Sequence, residues 1–257
     1  MLVSSKLSRT QRINVAQSKP AKGNPKQFVT IIVLIAVIGV GALGYVLSTS
    51  KPQITTIDPT IPAGAAEPHV MGMANAPVQV MEFADFECPG CGNFANITEP
   101  DIRTRLINTG VVTFKFFDFP LAPQHRNTLL AHHAAACADD QGKFWEMHDR
   151  LYANQDEWSG EVSHNPMKIF SRYAKELGLD VKTWEDCVLT QKHLARIKGN
   201  QAEGTRRNVS QTPTLIIGDK QIAGGLSYDQ FKALVDSALA KAPKSPASAP
   251  EKKGASK

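Results

Sequence analysis

Cys88 and Cys91, separated by Pro89 and Gly90, fall where a strand-like run gives way to a helical one, and that position limits the folds open to the chain. Val78 to Phe83 has strand composition and leads through Asp85, Phe86 and Glu87 into the cysteines. Phe94, Ile97, Ile102 and Leu106 then suggest a helix, which Pro100 is expected to kink or restart. Two cysteines at this spacing suit either a reactive disulfide or half of a zinc site. At a helix start the free amides and the dipole favour a thiolate, so Cys88 is expected to be the reactive sulfur and Cys91, one turn later, to face inward within its reach. A zinc site needs two further ligands. His133 with Cys137 is the obvious pair, and nothing in the sequence requires their helix to approach the first two cysteines. A disulfide without a catalytic role is the third reading.

The ends of the 257-residue chain do not read as globular. Residues 1–27 carry Lys6, Arg9, Arg12, Lys19, Lys22 and Lys26 and no acid, and residues 241–257 carry five Lys and one Glu. The formal charge of +5 therefore lies in the ends, and the body between them is acidic, at −5. A negative fold surface argues against nucleic acid as a partner. No residue from Gln27 to Ser50 is charged, and Phe28 to Leu47 is long and apolar enough for a transmembrane anchor. The basic flank predicts a cytoplasmic N-terminus, with everything after Leu47 exported. A cleaved signal peptide is the rival, but the apolar run exceeds a usual h-region of about 7 to 15 residues. Outside the cytoplasm, paired thiols can remain oxidised.

The chain therefore divides into a basic segment (1–27), an anchor (28–47), a Thr-, Pro- and Ala-rich linker (48–67), a folded domain (68–240) and a disordered tail (241–257). Within the domain, Val112, Phe114 and Phe116 alternate with Thr113 and Lys115 as a second strand. Residues from about 121 to 207 read as a helical insertion. Strands return at Thr214 to Ile217 and Gln221 to Ala223 as a hairpin, and Ser227 with Gln230 resembles a capping box before a final helix. The order is βαβ, a helical insert, then ββα. Glu82 shares a strand face with Val78 and Val80. A carboxylate buried there prefers to be neutral and could exchange a proton with Cys91 as a disulfide opens; on an edge strand it would instead reach solvent.

Residues 71–91, 111–121, 137–152 and 209–225 together resemble the DsbA-like oxidoreductases, a thioredoxin-like α/β fold with an inserted helical subdomain. The resemblance implies that Cys88 attacks, Cys91 resolves and Glu82 is the buried acid. It also implies a cis bond before Pro213, which would bring the Thr212 backbone beside the sulfurs to pair with an extended substrate. One departure is Gly90, since DsbA has His there and the thiolate loses a stabiliser. Cys137 and Cys187 are expected to form a structural disulfide in the insertion, the alternative being two buried free thiols. His132, His133 and His148 are expected to pack or lie at the surface of the insertion. The implied activity is disulfide exchange with exported protein thiols, with no metal or organic cofactor, and a membrane redox partner of the DsbB or VKOR type recharges the pair. A reductase or isomerase recharged by a membrane electron donor, and a tethered binding or chaperone module with dispensable cysteines, are the competing readings.

Overall fold

The structure is a computed structural model of the chain, and it describes residues 25–49, 52–57, 64 and 66–241. It falls into two units, 1–51 and 52–257. In the first, α1 (Pro25–Thr49) covers the uncharged run. Side chains along α1 are described at Lys26 and from Val29 to Val40, and among the described residues no helix is long and apolar enough to cross a membrane. The basic residues 1–24 and the tail from 242 lie outside the described residues.

The second unit is built on a six-stranded sheet of order β1-β6-β5-β3-β4-β2. Its strands are β1 (Gln53–Thr56), β2 (His69–Met71), β3 (Val78–Ala84), β4 (Val112–Asp118), β5 (Thr214–Ile217) and β6 (Lys220–Ala223). The central strand β3 pairs in parallel with β4 and antiparallel with β5. The parallel pair needs a crossover, which α2 (Pro89–Asn93) and α3 (Glu99–Ile102) provide, each followed by a π-helical segment, at Phe94–Thr98 and Arg103–Ile107. Pro100 lies within α3. The expected kinked helix is thus a helix with two widened turns.

Between β4 and β5 come α4 (Thr128–Asp139), α5 (Phe144–Ala153), α6 (Gln155–Trp158), α7 (Met167–Glu176), α8 (Val181–Leu189) and α9 (Leu194–Arg206). This is the helical insertion. Asp180 caps α8 by accepting from the Thr183 amide at 3.1 Å. The last helix, α10 (Tyr228–Lys241), starts at the expected capping box: the Gln230 amide donates to Ser227 Oγ at 3.4 Å, and the Ser227 amide donates to Gln230 Oε1 at 3.0 Å.

Two strands escape the sequence pattern. The linker expectation fails at Gln53–Thr56, where β-branched Ile54, Thr55 and Thr56 extend the sheet along β6 with all side chains exposed. With no buried face there is no alternation to read. Residues His69–Met71 form β2 along the far edge of β4 and are too short to show a period.

Two large apolar clusters organise this unit. One packs Val80, Phe114 and Leu215 of the sheet against Phe94, Ile102 and Leu106 of the crossover and Phe231 and Val235 of α10. The other fills the insertion with Met147, Trp158, Phe170 and Trp184 and extends to Phe86, Phe116, Cys88 and Cys91. Each fully buried large apolar side chain contributes about 1.5 to 3 kcal/mol by area. The cysteines therefore belong to a core shared by the sheet and the insertion, so the packing of both fixes their position.

Candidate active site

β3 delivers the chain to the cysteines through a turn that is buried and almost entirely polar in its bonding. Asp85 is fully buried, and its carboxylate accepts from the Glu87 amide (2.8 Å), the Leu121 amide (2.7 Å), His125 Nδ1 (2.8 Å) and the Thr128 hydroxyl. Burial acts to raise its pKa, but the bond from His125, the charge of His132 and the bonds from Thr128 and the Leu121 amide together outweigh it and hold the carboxyl below the usual range. Glu87 accepts from the Asn127 amide at 2.6 Å and from the Gly160 amide. Gln155 Nε2 donates to the carbonyls of Phe86 (2.7 Å) and Cys88 (3.0 Å). A Cβ at Gly92 would collide with the Gln155 amide, so this approach requires glycine there. Three side chains thus staple the turn to the insertion.

Cys88 takes the N-cap position of α2 with extended backbone angles, φ −70° and ψ 123°. Both cysteines are free thiols. The Cys88 thiol donates to the carbonyl oxygen of Thr212 at 3.4 Å. Its pKa falls to about 6: the hydrogen bond from the Cys91 thiol is the largest cause, opposed by burial and helped by the Thr212 side chain and the amides of Gly90 and Cys91. Cys91 is fully buried, and burial, reinforced by the neighbouring Cys88, pushes its thiol well above the ordinary value. One turn of helix separates a sulfur poised to ionise from one that resists it.

Thr212–Pro213 is a cis peptide. Pro213 is buried, and its carbonyl accepts from the Gly224 amide at 2.8 Å. A Cβ on Gly90 would lie 3.4 Å from Pro213 Cδ and 3.7 Å from Cys88 Sγ, so residue 90 faces both the loop and the sulfur. A cavity of about 580 Å³ opens beside Pro89, lined also by His125, Gln155 and Glu87. Hydrogen bonding to Asp85 raises the His125 pKa against the effect of burial, with a smaller contribution from the charge on Cys88.

Glu82 lies in the sheet centre and is 2% exposed, so it does not sit on an edge strand reaching solvent. Burial pushes its pKa well up, and Glu99 and Cys88 push it further, against Arg103. Cys137 and Cys187 are joined by a disulfide, which takes Cys137 out of the pair of metal ligands considered with His133. His132, His133 and His148 are all buried, none at the surface.

The sequence reading assembled Cys88, Cys91, Glu82, Thr212 and Pro213, and the structure brings all five to the C-terminal end of β3 and the loop facing it. It missed Asp85, Glu87, His125 and Gln155. Asp85 and Glu87 carried a signal, since two acids beside a segment entering the core demand partners. Gln155 carried none, because its role depends on where the insertion docks.

A family model described as Thioredoxin matches residues 65–237. The chain is 35% identical over 186 residues to the Na(+)/H(+) antiporter NhaA 3 of Salinispora tropica, covering 72% of this chain and 27% of that protein. The match thus spans about a quarter of the antiporter's length. It is 28% identical over 179 residues to Disulfide bond formation protein D of Bacillus subtilis, covering 66% of this chain and 76% of that one. The crystal structure of oxidised BdbD from Bacillus subtilis superposes with a TM-score of 0.60 at 25% identity, over 69% of this chain and 98% of that one.

Proposed function

The chain belongs to the thioredoxin family, matched over residues 65–237, and on that premise we propose that it is a thiol:disulfide oxidoreductase acting through Cys88 and Cys91. The asymmetry of the pair carries the proposal: Cys88 stands at a helix N-cap with its pKa lowered to about 6, while Cys91 is sealed behind it. A substrate thiolate attacks Cys88 Sγ of the disulfide form. Cys91 leaves as a thiolate and takes a proton from neutral Glu82, and a mixed disulfide joins Cys88 to the substrate. A second substrate thiolate then attacks the substrate sulfur, closing the substrate disulfide and releasing Cys88 as its stabilised thiolate. Two electrons pass from the substrate dithiol to the cysteine pair. Thr212 and Pro213 flank the attacked sulfur and offer backbone to an extended substrate chain.

The direction we favour is oxidation of exported protein thiols. A stabilised thiolate makes the corresponding disulfide the better oxidant, and the Bacillus subtilis relative is named for disulfide bond formation. The uncharged run and its basic flank support a membrane anchor with the N-terminus cytoplasmic and the thioredoxin unit outside. A membrane partner of the DsbB or VKOR type then reoxidises the pair. Gly90 favours the opposite reading, a reductase or isomerase, because it leaves the thiolate without the histidine of DsbA.

Exchange through Cys88 is tested by trapping. Cys91→Ser should accumulate a mixed disulfide through Cys88, and Cys88→Ser should abolish exchange with a reduced peptide substrate. If the variant lacking both cysteines retains the protein's function, the chain is a binding module and not an enzyme.

A further inference from the structure

One group of buried titratable side chains takes no part in the exchange steps above. Glu99, at the start of α3, is fully buried, and so is His148 of α5. Glu99 Oε2 lies 3.8 Å from His148 Nε2, beyond hydrogen-bond distance, and neither atom has a hydrogen-bonding partner. On its other side the His148 ring reaches Asp149 Oδ1 from Nδ1 at 2.8 Å, and the Asp149 side chain is 52% exposed. A line of polar contacts therefore runs from a sealed carboxylate to solvent.

The charge at the inner end of that line acts on Glu82. Glu82 Oε2 is likewise buried without a hydrogen-bonding partner. In the sheet Glu82 sits opposite Phe116, whose ring packs edge-on against His148 at 5.3 Å. Glu99 is the strongest charge acting on Glu82, and only burial affects it more. Tyr152 closes the group, its ring 4.8 Å from His148 and its hydroxyl buried without a partner. The other charged groups here are Cys88, Cys91, Asp85 and Arg103. Arg103 bonds to Glu99 (2.6 Å) and Asp149 (2.6 Å), so the carboxylates that stand close enough with His148 to share a metal ion share a fixed guanidinium instead.

Resting on the exchange chemistry above, we propose that Glu99 and His148, ending at Asp149, form the route by which a proton passes between Glu82 and solvent each time the Cys88–Cys91 disulfide opens or closes. On opening, the Cys91 thiolate takes the proton of Glu82. The Glu82 carboxylate then regains one from the Glu99 and His148 pair, which draws on water at Asp149. Closure runs the same steps backward, so no proton is created or lost. Glu99 and His148 touch neither sulfur and act through Glu82 as positioning residues. A buried acid that must exchange its proton in every cycle needs such an outlet, because its own position at the sheet centre is closed to water.

The test is reduction of the oxidised full-length chain by dithiothreitol, followed in a single turnover by tryptophan fluorescence across pH. Glu99→Gln should slow the step on the order of tenfold near neutral pH and change its pH profile, less than the roughly 100-fold or more of a group that transfers the proton to the reacting atom itself, since Glu99 acts through Glu82. The surface variant Asp149→Asn should shift the same profile without a buried change to destabilise the fold. The pH midpoint of Cys88 alkylation should stay where it is in the unaltered chain. In a Glu82→Gln background, Glu99→Gln should have no further effect, since the relay then has nothing to serve. Profiles for Glu99→Gln and Asp149→Asn that superpose on the unaltered chain's, or full additivity with Glu82→Gln, overturn the relay. An unaltered chain that fails to exchange with dithiothreitol at all overturns the oxidoreductase reading instead.

Discussion

Cys88 and Cys91 share a side chain and differ in chemistry because the helix start exposes one to amide donors and the core closes over the other. Gly90 sets how far that difference goes. A Cβ added there would contact both Pro213 and Cys88 Sγ at ordinary distances, so the first atom of a side chain is accommodated beside the sulfur. A charge-assisted hydrogen bond contributes about 1.5 to 3 kcal/mol, and about 30 mV corresponds to 1.4 kcal/mol in this two-electron couple. We expect the unaltered pair at about −150 to −200 mV, and Gly90→His to raise it by about 30 to 65 mV, measured by equilibration in glutathione buffers. A potential at or below about −250 mV in the unaltered chain would favour the reductase reading.

At the scale of elements, the insertion holds the active-site turn. Glu87 and Asp85 accept from its backbone and side chains, and Gln155 donates to the turn in return. The Cys137–Cys187 disulfide ties α4 to α8 across a sequence separation of 50. On the chain-entropy model such a loop contributes at most about 4 kcal/mol, so Cys137→Ala with Cys187→Ala should lower unfolding stability by up to that amount. Denaturant titration of the oxidised chain and the double variant measures it. The sequence showed the elements with buried apolar faces: β3 and α10 carry a period, and β4 and β5 stand out as strand-forming runs buried on both faces. It showed the site where spacing alone sets geometry, at Cys88, Cys91 and Glu82. It did not show β1, which buries no face, or the Gln155 contact, which joins residues 67 apart through the docking of the insertion.

At the scale of the whole molecule, an uncharged N-terminal run precedes a second unit that begins at residue 52. If the run is an anchor, a reporter fused after Lys257 should report from outside the cytoplasm, and the mature chain should keep its first residues. An ectodomain starting near Lys51 would show a cleaved signal. One sulfur of the pair is ionised and presented while the other is withheld. The reduced full-length chain, alkylated with iodoacetamide from pH 4 to 9 and read peptide by peptide by mass spectrometry, tests it directly. The lowered pKa places the thiolate form above the midpoint, so labelling of Cys88 should rise through pH about 6 and be complete by neutrality, with Cys91 protected throughout. A Cys88 midpoint near the free value of about 8.5, or faster labelling of Cys91, would contradict the account.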